Sequence, residues 1–162
     1  MVRYEWILCS IFFWHVQVFA QSADDFMQGM VVLTSGDTIQ AEIKQVREDR
    51  FSKSITIIRS GSNQQEKLSP KDGIYFRFGQ EEYVTKAVDG KDYFLRRIIQ
   101  GEASLYEFSY REKKGRKYEI TARYFVEKKS TGQWAEVTNK TFRTEISKFF
   151  SDYRSLAGKI EN

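Results

Sequence analysis

Glu81-Glu82 and Asp89/Asp92 bring carboxylates close together in the sequence. Two carboxyls held about 5–10 Å apart are the groups that hydrolyse glycosides. Neighbouring acids on a wet strand or turn ordinarily serve only to solvate it, and Asp24-Asp25 sits in a polar lead that cannot preorganise a site. A serine nucleophile with a lysine base is the other option, but both residue types are abundant and none is singled out. Gly36-Asp37, Gly61-Ser62 and Gly101-Glu102 form no phosphate-binding loop. No Asp-x-Asp-x-Asp-Gly calcium loop is present, and Asp72-Gly73 and Asp89-Gly90 read as turns.

The residues best suited to chemistry are concentrated where they can be lost. The only cysteine is Cys9 and the only histidine is His15. Both lie in an apolar run from Ile7 to Ala20, preceded by Arg3 and closing with Val18-Phe19-Ala20. That run is too short for a membrane span of about 20 predominantly apolar residues. It reads as a signal peptide over residues 1–20, cleaved after Ala20 to leave Gln21 first. An uncleaved anchor is the alternative. A lipoprotein fits less well, because Cys9 precedes most of the apolar run.

Cleavage removes one base and one acid and leaves the charge at +4. The mature chain then has no thiolate nucleophile, no imidazole base and no disulfide. Zinc or copper sites built on those groups are excluded as well. The expectation is a chain that is not an enzyme and has neither metal nor cofactor.

Two groups of residues remain as candidates for binding. Lys113, Lys114 and Arg116, with Lys117, cluster at one hairpin tip, and Arg96-Arg97 and Lys128-Lys129 add charge nearby in sequence. They suit an acidic polymer or lipid headgroups, though charged tips and edge lysines also serve to block strand-to-strand aggregation. The second group is aromatic: Tyr106, Phe108 and Tyr110, then Tyr118 and Tyr124. It reads as core beneath a helix, or as the lining of an apolar cavity.

The elements that must position these groups are mostly strands. Hydrophobic content of 41% with 15% aromatics is ample for one packed domain over residues 21–162. Met30–Leu33 and Ile39–Ile43 flank a Ser35-Gly36-Asp37 turn as an opening hairpin. Arg47-Glu48-Asp49-Arg50 reads as a charged loop and Ser54–Ile58 as a strand with Ile55 and Ile57 on one face. Ser60–Gln65 is a polar loop, and Pro70 and Gly73 turn the chain into Ile74–Phe78. Tyr83–Val88 and Tyr93–Ile99 follow around Asp89-Gly90.

Ser104–Tyr110 and Lys117–Val126 alternate with period two and are expected to form a long hairpin joined by residues 111–116, with one aromatic face. Phe142, Ile146, Phe149, Phe150, Tyr153 and Leu156 fall at helical spacing, predicting an amphipathic helix over residues 141–158. The expected fold is mainly β (α+β): an antiparallel sheet or small barrel of about seven to eight strands with a C-terminal amphipathic helix. Asn139-Lys140-Thr141 matches an N-glycosylation acceptor, and Asp37-Thr38-Ile39 looks like a short O-glycosylation acceptor.

The pattern Gly29-x-Val31-x-Leu33-x-x-Gly36-Asp37-Thr38-Ile39 after a signal peptide resembles uncharacterised secreted proteins of the Bacteroidetes. Leu68–Phe76, Phe94-Leu95 to Gly101–Tyr106, and Phe149–Leu156 carry the same resemblance over most of the mature chain. Ala41 departs from it where a glycine is expected. These are turn and core signatures, and the resemblance implies no activity. The first half is also similar to the small barrel of Sm-like RNA-binding proteins. Their second motif is missing, so barrel geometry is retained as an expectation and nucleic acid is not.

Together these features predict an exported, non-catalytic binding or structural module of the cell envelope, periplasmic or extracellular, whose partner is an envelope protein or lipid. It is not integral to the membrane after cleavage. The alternative is a barrel carrying an apolar small molecule or lipid, and a carboxylate-dependent hydrolase ranks below both.

Overall fold

A computed structural model describes residues 26–138 and 140–149. The expected signal peptide, the polar lead up to Asp25, Asn139 and the helical positions beyond Phe149 lie outside the described residues.

The described chain is mainly β. Ten strands form one antiparallel sheet: β1 (Phe26–Leu33), β2 (Thr38–Lys44), β3 (Ile55–Arg59), β4 (Gln65–Leu68), β5 (Gly73–Phe78), β6 (Glu81–Val88), β7 (Lys91–Ile99), β8 (Ala103–Lys114), β9 (Lys117–Lys128) and β10 (Gln133–Val137). Two helices accompany them, α1 (Glu48–Phe51) and α2 (Phe142–Phe149). The spatial order is β10-β9-β8-β7-β6-β5-β1-β2-β3-β4. The first four strands therefore meander away on one side of β1 and the last six on the other. The excess over seven to eight strands comes from short elements such as β4 and β10, where the apolar pattern is weak.

The opening hairpin is organised as its residues require. Gly36 takes a positive φ of 91°, and Leu33 N–H donates to Asp37 O at 2.8 Å. The return to β5 crosses through Ser69–Asp72, where the Asp72 carboxylate accepts from Ser69 N–H and Oγ–H at 2.8 and 2.7 Å. Those hydrogen bonds hold the Asp72 carboxyl below the usual range. Thr34 N–H donates to Asp72 O at 2.9 Å, so the two turns are tied together at one end of β1.

The main core lies on one face of β1–β7. Val31, Ile43, Ile55, Ile57, Leu68, Phe76 and Phe94 are fully or nearly fully buried there. Leu68 of β4 and Phe94 of β7 share this cluster although several strands separate them in the sheet, so the sheet curls around its own face. Phe51 of α1 enters the centre, 5.3 Å from the rings of both Phe78 and Tyr83. The residues expected as a charged loop thus form a one-turn helix, and Phe51 is what anchors it.

A second cluster occupies the opposite face of β6–β10. It contains Val88, Leu95, Tyr106, Phe108 and Phe125, with Trp134 stacked on Phe125 at 5.1 Å. The third cluster is beneath α2, where Ile146 and Phe149 meet Val126, Val137 and Leu105.

The expectation of one aromatic face on the β8–β9 hairpin is corrected by the register. Lys114 pairs with Lys117 across a two-residue Gly115-Arg116 turn, with Gly115 at φ 64°. That turn sets each even-numbered position of β8 opposite an odd-numbered one of β9: Tyr106 faces Phe125, and Glu107 faces Tyr124. Directly opposed residues share a face. Tyr106, Phe108 and Tyr110 therefore stand on one face, and Tyr118, Ile120, Ala122 and Tyr124 on the other. Helix α2 covers the base of the second set rather than the first.

Candidate functional site

β8 and β9 are each twelve residues long, but their neighbours follow them for only part of that length. β7 pairs with β8 at Leu105, Tyr106 and Glu107, and β10 pairs with β9 from Tyr124 to Lys128. From the Phe108/Arg123 pair to the Lys114/Lys117 pair the hairpin runs on as a two-stranded ribbon. At about 3.4 Å per residue it reaches roughly 20 Å past the last flanking pair.

The cause of this departure lies in α1. Phe94 N–H of β7 donates to Ser52 O at 3.0 Å, at the end of α1, instead of continuing the ladder to β8. The helix thereby wedges β8 away from β7. Asp49, 6% exposed, receives Arg47 and, at 3.2 Å, Arg111 from the root of the ribbon. The Arg47 hydrogen bond holds the Asp49 carboxyl below its usual range, against the opposing effect of burial, with Arg111 adding to it.

Beside it, Glu107 is 8% exposed, accepts from Arg96 at 3.0 Å and from Ser109 Oγ–H at 3.0 Å. Burial works against the Arg96 charge, but Glu107 and then Glu81 outweigh it and raise the guanidinium pKa. The space enclosed by these groups with Glu48, Ser52 and Tyr83 is about 10 Å³, enough for one water and no larger ligand.

The structure divides the candidate residues into three sets. Tyr106 and Phe108 are buried and Tyr110 is half-buried, with Phe108 between the rings of Tyr93 at 4.6 Å and Tyr110 at 5.4 Å. Tyr106 donates its hydroxyl to Glu127 at 2.8 Å, and Lys86 pairs with the same carboxylate at 2.6 Å. Burial first, then Glu127, pushes the Tyr106 pKa up to about 12. These groups line one wall of an open concavity of about 460 Å³ that also includes Val84, Arg97 and Lys129. Tyr118 (64% exposed) and Tyr124 (39%) form the second set, on the other face. Lys113, Lys114 and Arg116 form the third, at the tip of the ribbon, where Tyr118 stands opposite Lys113.

Every residue from Arg111 to Ile120 is exposed. This segment carries five basic and two acidic side chains, so its end is net positive. Lys114 pairs with Glu119 at 3.0 Å, and that hydrogen bond raises its pKa. The hairpin and its basic tip were legible in sequence, but Arg111–Lys114, expected in the connection, extend β8 and leave only Gly115-Arg116 as the turn. Of the root residues, Arg96 was named only as added positive charge, where it is instead paired with Glu107 and Glu81, and Asp49, Glu107 and Arg111 were not singled out. Their one signal is Glu107 and Ser109 interleaved with Tyr106, Phe108 and Tyr110, a strand whose second face must satisfy polar groups.

Of the carboxylates weighed for catalysis, Glu81, Glu82 and Asp89 are held by arginines on separate parts of the sheet. Glu81 meets Arg96 at 3.4 Å, Glu82 meets Arg97 on the opposite face of β6, and Asp89 meets Arg123. Among the described residues, no group of three or more His, Cys, Asp or Glu side chains is placed to hold a metal ion, and no helix is long and apolar enough to cross a membrane. Comparison with protein-family models, with curated proteins and with solved structures gives no match.

Proposed function

We propose that the chain is an exported, non-catalytic binding or structural module of the cell envelope, and that it engages its partner through the β8–β9 ribbon. The observation that carries this reading is the ribbon itself, exposed throughout Arg111–Ile120 and held off the sheet by the α1 wedge. A two-stranded hairpin standing alone is marginally stable at best in water. Here its root is braced by two buried carboxylates, Asp49 and Glu107, which is a costly arrangement for a strand pair that merely ends a sheet.

The filled interior supports a surface function over the alternative of carrying an apolar ligand. Phe51, Phe76, Phe78, Tyr83 and Phe94 pack with ring centroids between 4.5 and 6.2 Å apart where a barrel carrier needs space. Arginine pairing of Glu81, Glu82 and Asp89 likewise favours a non-catalytic role. The apolar run over residues 1–20 and the resemblance to secreted Bacteroidetes proteins support export.

The test is to replace Lys113–Tyr118 by Asn-Gly, joining Glu112 to Glu119 through a tight turn and leaving the Arg111–Asp49 pair in place. The intact chain is expected to co-fractionate with envelope membranes of the producing cell. The shortened chain should be released from them with an unchanged circular dichroism spectrum. Equal retention of the two would remove the ribbon from the binding role.

A further inference from the structure

The chemistry of the ribbon identifies what it binds, an inference that rests on the ribbon being the binding element. On one face Lys113 is opposite Tyr118 and Arg111 is opposite Ile120, with the Arg111 guanidinium 5.9 Å from the Tyr118 ring. Tyr118 is 64% and Ile120 45% exposed. Lys114 and Arg111 have carboxylate partners in Glu119 and Asp49. Lys113, Arg116 and Lys117 make no ion pair among the described residues. Lys113, Tyr118 and Ile120 thus share one face of the exposed ribbon, with Arg116 and Lys117 at its tip.

A ribbon of two strands has no concave wall and cannot enclose a small molecule. It can press into a surface. Uncompensated positive charge selects a negative surface, and Tyr118 and Ile120 require an apolar layer directly beneath that charge. A wholly polar polyanion gives the cations a partner but leaves Ile120 in water. An anionic phospholipid bilayer supplies both layers in the right order, phosphate outermost and hydrocarbon below. Tyrosine suits that boundary, with its ring in the apolar side and its hydroxyl in the wet one.

We propose that the β8–β9 ribbon docks on an anionic phospholipid bilayer, with Lys113, Arg116 and Lys117 among the phosphates and Tyr118 and Ile120 seated at the headgroup boundary. Penetration stops there. Each strand of the ribbon has one unpaired edge of backbone N–H and C=O groups, which the hydrocarbon cannot satisfy.

The full chain carrying Cys9→Ser and Tyr118→Cys, labelled at the new thiol with a polarity-sensitive fluorophore, reads this contact directly. Mixed phosphatidylglycerol/phosphatidylcholine vesicles should shift its emission to the blue, and pure phosphatidylcholine vesicles should not. Adding Lys113→Glu and Lys117→Glu should weaken the partition at least about tenfold, with the circular dichroism spectrum unchanged. The same label at Gln65 on edge strand β4 should stay silent. An equal shift on both vesicle types, or none on either, overturns the proposal. If vesicles give no shift while the shortened chain is still released from envelope membranes, the ribbon binds an envelope protein and lipid is excluded. If shortening changes nothing, the underlying reading falls as well.

Discussion

At Gly29 an added Cβ atom would run into the Arg77 carbonyl oxygen of β5 and lie 2.7 Å from Ile43 Cδ1 of β2. β1 is flanked on both sides, so the neighbours cannot easily yield. Gly29→Ala should therefore lower the unfolding free energy by about 1–3 kcal/mol in urea denaturation, as overpacking does elsewhere. An unchanged midpoint would show slack between β1 and β5. Phe51 presents the opposite case, a large ring in a small helix. Phe51→Ala should cost about 3–5 kcal/mol, and the loss should be accompanied by release of α1 from the sheet.

Asp49 joins these residues to the ribbon: Asp49→Asn keeps the shape but removes the charge that Arg47 and Arg111 face, and should cost about 1–3 kcal/mol. Gly29 was visible in the sequence as the head of a hairpin motif. Asp49 and Phe51 were not, because a four-residue helix shows no period and depends wholly on what it touches.

At the scale of elements, most strands follow from alternation alone. Ile55 and Ile57 face the core as their spacing requires, and Gly36 turns the opening hairpin. The faces of β8 and β9 did not follow in the same way. Alternation within each strand is plain, but which face of one joins which face of the other depends on the turn between them. Gly115-Arg116 decides that, and it parts Tyr106–Tyr110 from Tyr118–Tyr124. The departure of the ribbon from β7 was also hidden, since it arises from a hydrogen bond between Phe94 and Ser52, forty-odd residues apart.

The wedge makes the ribbon sensitive to acid. Asp49 titrates below the ordinary carboxylate range because Arg47 and Arg111 favour its charge. As pH falls, the unfolded chain takes up that proton first, so the stabilisation is complete above about pH 4–5 and is lost below it.

The whole molecule shares that direction. Glu82 is held low by Arg97, Asp89 and Glu136 by Arg123. In Glu127 burial works upward but Lys86 and Tyr106 outweigh it. The one histidine of the chain is His15, and Tyr83 and Tyr106 are raised by burial. The urea midpoint should therefore stay level between about pH 5.5 and 8 and fall below about pH 4. A steep change near neutrality would contradict this charge arrangement.

Export is tested separately: the N-terminus of the chain recovered from envelope should be Gln21, and finding Met1 there would rule out cleavage. The most direct test of the binding role is hydrogen–deuterium exchange of the full chain with and without envelope membranes. The ribbon account predicts new protection confined to the amides of residues 111–120, with the strands around β1 unchanged. Protection that falls instead on the Tyr106–Trp134 face, or no protection at all, would contradict it.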